Sequence, residues 1–358
     1  MKRALVVDDS QFMRTVIGEA LEERGYEVVT ASDGEGAIEA VERERPDVIT
    51  MDVAMPGIDG IEATERIMQI RPTPILMLSA HTGDGADATL DALENGAVDF
   101  ITKPGGTEVS VDTPTLTERI HAKIDAVAAA DPSSLSVVDH DDGDGSPARP
   151  AVSSVTHQDG DLSTVIIGAS TGGPKVVERI VRDLPTGIDA RVLIVQHMPA
   201  SFTDRFADRL DTLSAYDVFE AGDRSEVAPG EAAVASGGID LAVTGDVRGR
   251  LQLETVRETR DGTPIHPSID VTMRTAASTV DGPLVGVVLT GMGDDGVEGL
   301  AAVQDAGGYT IAQNEETSPV FGIPGQAIET GCVDDVRPDH EIVDGILDGL
   351  RQEVEING

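Results

Sequence analysis

The sequence predicts an α/β protein built from two doubly wound parallel-sheet domains, the second carrying a small antiparallel hairpin insertion. Three observations predict this. Short apolar runs alternate with helical periodicity, the same rhythm returns after an interruption, and 358 residues exceed what one ordinary core organises. In the first series ALVV reads as a strand, followed by a helix with Phe12, Val16, Ala20 and Leu21 at helical spacing and Gly25 as its C-cap. DVIT is the next strand, then PILML with Leu90 and Leu93 on the following helix, which Gly96 closes. DFIT comes last, with Leu116, Ile120, Ile124 and Val127 behind it. In the second series TVIIG precedes Val177, Ile180, Val181 and Leu184, RVLIVQ precedes Phe202, Phe206 and Leu210, and LVGVVLTG precedes Val297, Leu300 and Ala301. Shorter strands fill Val218 to Val256, where AVTGDVRGRLQLETV reads as a hairpin. Between the two series the chain turns rich in Ser, Asp, Gly and Pro, with too little apolar content to offset its ordering entropy. The expected limits are a first domain over residues 1–125, a flexible acidic linker over 126–160 and a second domain over 161–355.

Charge narrows the function. The formal net charge is -39, from 65 acidic and 26 basic residues, and Lys2, Lys103, Lys123 and Lys175 are the only lysines. Such a surface repels nucleic acid and anionic membranes. It also strains the compact state unless salt screens it, which points to a halophilic cytoplasm. Cys332 is alone, so an internal disulfide and any CxxC metal site are excluded. Acidic residues cut the N-terminal apolar run too soon for a signal sequence, and no run approaches the roughly 18 apolar residues of a membrane span. A soluble cytoplasmic protein is expected. A calcium loop in DHDDGDG fails, because Gly143, Asp144 and Pro150 fall where the motif needs other residues.

Function in open parallel sheets collects at the carboxyl ends of strands. In the first domain these ends hold Asp8 and Asp9, Asp52, Ser79, and Lys103 before Pro104. Three carboxylates repel one another unless a cation lies among them, and oxygen ligands on a partly open site suit Mg²⁺. Lys103 and Ser79 each offer a contact to a phosphoryl oxygen, which leaves Asp52 to accept the phosphoryl group as an acyl phosphate. VVDDS, MDVAMPGIDG, LMLSA and GAVDFITKP resemble the response-regulator receiver domain, which is flavodoxin-like, over residues 1 to about 125. The resemblance implies phosphorylation of Asp52, Asp8 and Asp9 as metal ligands beside it, and Ser79 and Lys103 as switch residues. Phe100 departs from it, standing where an aromatic switch residue often carries a hydroxyl.

In the second domain GASTGG, residues 168–173, satisfies G-x-S-x-G and presents Ser170 before Pro174 in a first helical turn. The same six residues read equally as a phosphate-binding loop, although no Walker lysine follows. His197 lies at the next strand end, in LIVQHMP, and Asp294 and Asp295 at a third, in VVLTGMGDDGVEG. Serine, histidine and aspartate at three carboxyl ends of one sheet can converge as a triad. Their chain order, Ser–His–Asp, differs from the Ser–Asp–His order of α/β-hydrolases, so that family is the wrong analogy. VIIGASTGGP, VQHMPASFTDRFADRL, VAPGEAAVA, HPSIDV, VLTGMGDDGVEGL and SPVFGIPG instead resemble the CheB family of chemotaxis protein-glutamate methylesterases. The resemblance assigns Asp295 as the triad acid and puts Asp294 at a variable position. It implies hydrolysis of glutamate methyl esters on chemoreceptors with release of methanol, receptor glutamine deamidation, a chemotaxis histidine kinase as phosphodonor, and Mg²⁺ for receiver phosphorylation only. Backbone N–H groups near Thr171 and Met292 are the oxyanion candidates. It further implies that the unphosphorylated receiver restrains the catalytic edge. Two rivals stand beside this reading: a receiver-controlled docking module without catalysis, and a nucleotide-binding output domain using GASTGG.

Overall fold

In a computed structural model, the described residues are 2–79, 83–103, 113–130, 162–257 and 265–357. They form two compact units that divide within the stretch between residues 131 and 161. Most of the expected linker, and the DHDDGDG segment, lie outside the described residues. Residues 126 and 127 complete the last helix of the first unit.

The first unit alternates β1 (Arg3–Val7), α1 (Gln11–Glu23), β2 (Glu27–Ala31), α2 (Gly34–Glu44), β3 (Val48–Asp52), α3 (Gly60–Ile70), β4 (Ile75–Ser79), α4 (Gly83–Glu94), β5 (Asp99–Thr102) and α5 (Thr113–Val127). The sheet order is β2-β1-β3-β4-β5, parallel throughout. Strands β3, β4 and β5 are buried along their whole length, as a sheet covered on both faces requires. Helix starts are set by side-chain caps. Ser10 accepts from the Met13 amide, Asp33 from Gly36, and Asp59 from Ile61 and Glu62. Gly25 and Gly96 both take positive φ at the ends of α1 and α4, as their C-cap reading requires.

The second unit runs β6 (Thr164–Ala169), α6 (Gly173–Asp183), β7 (Arg191–Gln196), α7 (Ala200–Leu213), β8 (Asp217–Ala221), β9 (Glu226–Val227), β10 (Glu231–Ala235), β11 (Asp240–Val247) and β12 (Arg250–Val256). It continues through α8 (Ile269–Ala277), β13 (Leu284–Val288), α9 (Val297–Asp305), β14 (Tyr309–Gln313), α10 (Ile323–Thr330), β15 (Asp335–Arg337) and α11 (Ile342–Asn357). Seven strands make one parallel sheet in the order β15-β14-β13-β6-β7-β10-β8. The expected hairpin is β11 and β12, turning at Arg248 and Gly249, and β9 adds a third antiparallel strand. The short strands between Val218 and Val256 thus divide between two sheets, because β8 and β10 join the edge of the parallel one. Arg191, 1% exposed, ties the two sheets: its guanidinium donates to Asp246 Oδ1 at 2.7 Å and to Thr164 Oγ1 at 2.8 Å. Cys332 is a buried residue of the second core.

Candidate active site and phosphoacceptor site

In the first sheet the chain leaves β1 towards β2 on one side and returns to β3 on the other. The crevice between β1 and β3 is therefore the topological switch point, where open α/β sheets bind ligands. Asp8 and Asp9 follow β1, and Asp52 ends β3. Each offers one carboxylate oxygen, and the three oxygens lie within 4.8 Å of one another. Lys103, just past β5, reaches in with Nζ 2.8 Å from both Asp8 Oδ2 and Asp52 Oδ2. Burial pushes the Asp52 carboxyl up, Lys103 draws it down and Asp8 pushes it up again, leaving it above the ordinary carboxylate range. A carboxylate cluster of this kind, with Asp8 and Asp52 buried and Asp9 exposed, offers hard oxygen donors with more negative charge than one lysine balances and fits a hard divalent cation such as Mg²⁺. Ser79 ends β4, and its Oγ accepts from Thr89 Oγ1 of α4 at 2.7 Å. Phe100 is buried, with the Lys123 ammonium 5.6 Å from its ring centroid.

The second sheet has its switch point between β6 and β13, since the chain leaves β6 for β7 and later returns to β13 on the opposite side. Ser170 follows β6, His197 follows β7, and Asp295 lies in the loop after β13. Ala169 and Gln196 are register partners, and the His197 amide donates to Ala169 O at 2.9 Å, so Ser170 and His197 emerge side by side. His197 Nε2 bonds Asp295 Oδ2 at 2.8 Å. With Nε2 given to the acid, Nδ1 is the ring nitrogen left for the serine, and it is buried with no partner among the described residues. The ring therefore uses its two nitrogens in the reverse of the chymotrypsin-type arrangement.

The glycines of GASTGG are accounted for by protein neighbours. A Cβ on Gly168 would run into the side chain of Ile269, the first residue of α8. Gly172 takes φ +78° and packs against Pro319 and Thr290. Close packing of these side chains against the glycine backbone, rather than approach to a phosphate, explains both. Thr290 then fastens the turn, with its Oγ1 donating to Thr171 O at 2.9 Å and its carbonyl accepting from the Ser170 amide at 3.0 Å. The Met292 amide donates to no other group among the described residues. Of the two acids in GMGDDG, Asp294 is exposed and Asp295 faces His197.

Sequence reasoning missed what holds Asp295. Its carboxylate sits on the N-terminus of α8: Oδ2 accepts from the Ile269 amide at 2.7 Å, and Oδ1 from Ser268 Oγ at 2.7 Å and the Asp270 amide at 3.3 Å. Asp270 returns the arrangement, accepting from the Gly296 and Gly299 amides at the start of α9 at 2.9 and 2.6 Å. Burial alone would raise the Asp295 carboxyl, but the His197 bond and charge, with Ser268 and Ile269, hold it down at about 2. The signal was HPSIDV: a serine before a helix reads as an ordinary N-cap, and nothing local shows that a distant carboxylate shares it.

An acidic cluster with a lysine at the switch point of one parallel sheet, and a serine, a histidine and an acid at that of the other, define a two-domain regulatory protein with a receiver and a hydrolase-type output domain. Residues 4–112 match the response regulator receiver domain, and residues 165–346 match the CheB methylesterase. The chain belongs to the CheB methylesterase family. It is 53% identical over 353 residues to a protein-glutamate methylesterase/protein-glutamine glutaminase of Halobacterium salinarum, covering 98% of this chain and 99% of that one. It is 50% identical to a protein of the same name from Natronomonas pharaonis, over 98% of each chain. The crystal structure of the Thermotoga maritima CheB methylesterase catalytic domain is 35% identical, covering 55% of this chain and 100% of that one, with a TM-score of 0.49.

Proposed function

We propose that this chain is a phosphorylation-activated protein-glutamate methylesterase and protein-glutamine glutaminase that acts on chemotaxis receptors during adaptation. The observation that carries the reading is His197, held by Asp295 through Nε2 with Nδ1 buried, without a partner among the described residues and beside the strand end that bears Ser170. Nδ1 takes the Ser170 proton as Oγ attacks the ester carbonyl, and Asp295 stabilises the imidazolium that forms. The Thr171 and Met292 amides receive the oxyanion. As the tetrahedral intermediate collapses, the imidazolium returns its proton to the leaving methoxide, giving methanol and a glutamyl ester on Ser170. Water, deprotonated by Nδ1, then attacks that ester and frees the glutamate carboxylate. A glutamine side chain follows the same course with ammonia as the leaving group.

Control lies in the first domain. Asp52 takes a phosphoryl group from a histidine kinase, and Asp8, Asp9 and Asp52 hold Mg²⁺, which when bound neutralises charge on the phosphoryl oxygens. Lys103 pairs with another phosphoryl oxygen, and the Ser79 hydroxyl contacts a third. The domain limits proposed are 1–125, 126–160 and 161–355, with the linker letting phosphorylation shift the balance between a restrained and a released catalytic domain. No helix among the described residues is long and apolar enough to cross a membrane, which accords with action in the cytoplasm on the cytoplasmic helices of receptors.

The test is methanol release from methyl-esterified receptor membranes in multimolar KCl. Wild type releases methanol faster with a phosphodonor and Mg²⁺, Ser170→Ala releases none, and Asp52→Asn loses the stimulation. Wild-type rates from Ser170→Ala would overturn the nucleophile, and undiminished stimulation of Asp52→Asn would overturn the phosphorylation site.

A further inference from the structure

We propose that Ser268 is a positioning residue of the hydrolytic reaction, the fourth member of a Ser170–His197–Asp295–Ser268 chain. The inference rests on the triad reading above. Ser268 Oγ is 2.7 Å from Asp295 Oδ1 and 3.4 Å from the Val271 amide, which donates to it as the N-cap bond of α8. A hydroxyl has one proton, and with the oxygen accepting from Val271 that proton points at Asp295. The hydroxyl thus links helix cap and catalytic acid in one bond chain.

Ser268 is itself held. It is 5% exposed, and its amide donates to Asp240 Oδ1 at 2.8 Å, where His266 Nδ1 also bonds at 2.8 Å. Asp240 begins β11, so the position of Ser268 is set from the antiparallel sheet as well as from α8. The consequence for chemistry is directional. Asp295 has two oxygens and His197 needs one of them in the ring plane. Ser268 on Oδ1, with Ile269 on Oδ2, fixes rotation about the Asp295 carboxyl so that Oδ2 stays presented to Nε2. Loss of the Ser268 hydroxyl removes the 2.7 Å bond on Oδ1, where the Asp270 amide stands farther off at 3.3 Å.

Full-length protein with phosphodonor and Mg²⁺ is assayed for methanol release from methyl-esterified receptor membranes, alongside acylation of Ser170 by a fluorophosphonate probe. Ser268→Ala is expected to lower kcat and the acylation rate by about tenfold to a hundredfold, the range for a lost hydrogen bond to a charged group. KM stays unchanged, and Ser268→Thr, which keeps the hydroxyl, restores most of the rate. A merely structural role would lower only the amplitude of probe labelling, leaving the first-order acylation rate constant and the kcat per folded molecule at wild-type values. The proposal is overturned if folded Ser268→Ala keeps wild-type kcat and acylation, or if both fall only in proportion to the folded fraction measured by its melting curve. Ser170→Ala is run in parallel. If it stays active the triad fails and takes Ser268 with it, whereas an inactive Ser170→Ala beside a fully active Ser268→Ala sinks the Ser268 assignment alone.

Discussion

Asp295 shows how much one carboxylate carries. Its folded value of about 2 lies below that of an unfolded aspartate, so the folded state is the weaker proton binder. The stabilisation is therefore fully present above the ordinary aspartate value, near 4, and is lost as pH falls towards 2. Unfolding midpoints of wild type and Asp295→Asn, followed by pH at constant high salt, are expected to differ by a constant amount above about pH 4 and to converge below it. A gap that persists unchanged to pH 2 would show that the carboxylate is not held down. Residues of this kind were partly legible. Ser170 announces itself by a glycine-rich turn after an apolar run and His197 by standing at the end of one, whereas Asp295 was told from Asp294 only by the family resemblance. Ser268 does not, because its chemistry depends on a partner 27 positions away.

At the scale of elements, both candidate sites sit where their sheets change direction, and this was readable because the central strands are the purest apolar runs. Strands β1, β3, β4, β6, β7 and β13 stand out as such runs, joined by the buried edge strand β5, and their ends hold the named residues. Two other edge strands were harder to see. β2 is largely unburied, with Ala31 its one buried residue, and β15 is three residues long with Val336 44% exposed, so neither shows a clear pattern. The meeting of β6 with α8 gives a prediction at this scale. Gly168→Ala places a methyl group where the Ile269 side chain packs, and overpacking of this kind costs about 1–3 kcal/mol. Because the Ile269 amide holds Asp295, thermal denaturation and methanol release are expected to fall together in this variant. Loss of stability with full activity in the folded fraction would mean that the α8 terminus adapts without moving the acid.

The whole molecule carries a formal charge of -39 in 358 residues, and the ion pairs among the described residues are mostly at the surface, where each contributes little. Self-repulsion on this scale opposes the compact state unless screened, and the Debye length falls from about 10 Å at 0.1 M salt to about 3 Å at 1 M. The melting temperature is expected to rise steeply as KCl increases from 0.1 M to multimolar concentrations. Sucrose at matched osmolality serves as the control. An equal rise in sucrose would assign the effect to excluded volume rather than to charge.

The reciprocal caps of α8 and α9 also bear on how this active site can change over generations. Enzymes commonly purchase activity with stability, so that removing a catalytic group leaves an inactive but sturdier protein. Here Asp295 and Asp270 each satisfy the open amides of the other's helix, and the acid that serves the reaction is also a fastening of the fold. A lineage that abandoned hydrolysis would gain nothing in robustness by losing Asp295. The acid would then outlast the serine, and a degenerate descendant would be recognised by a vacant position 170 beside an intact Asp295.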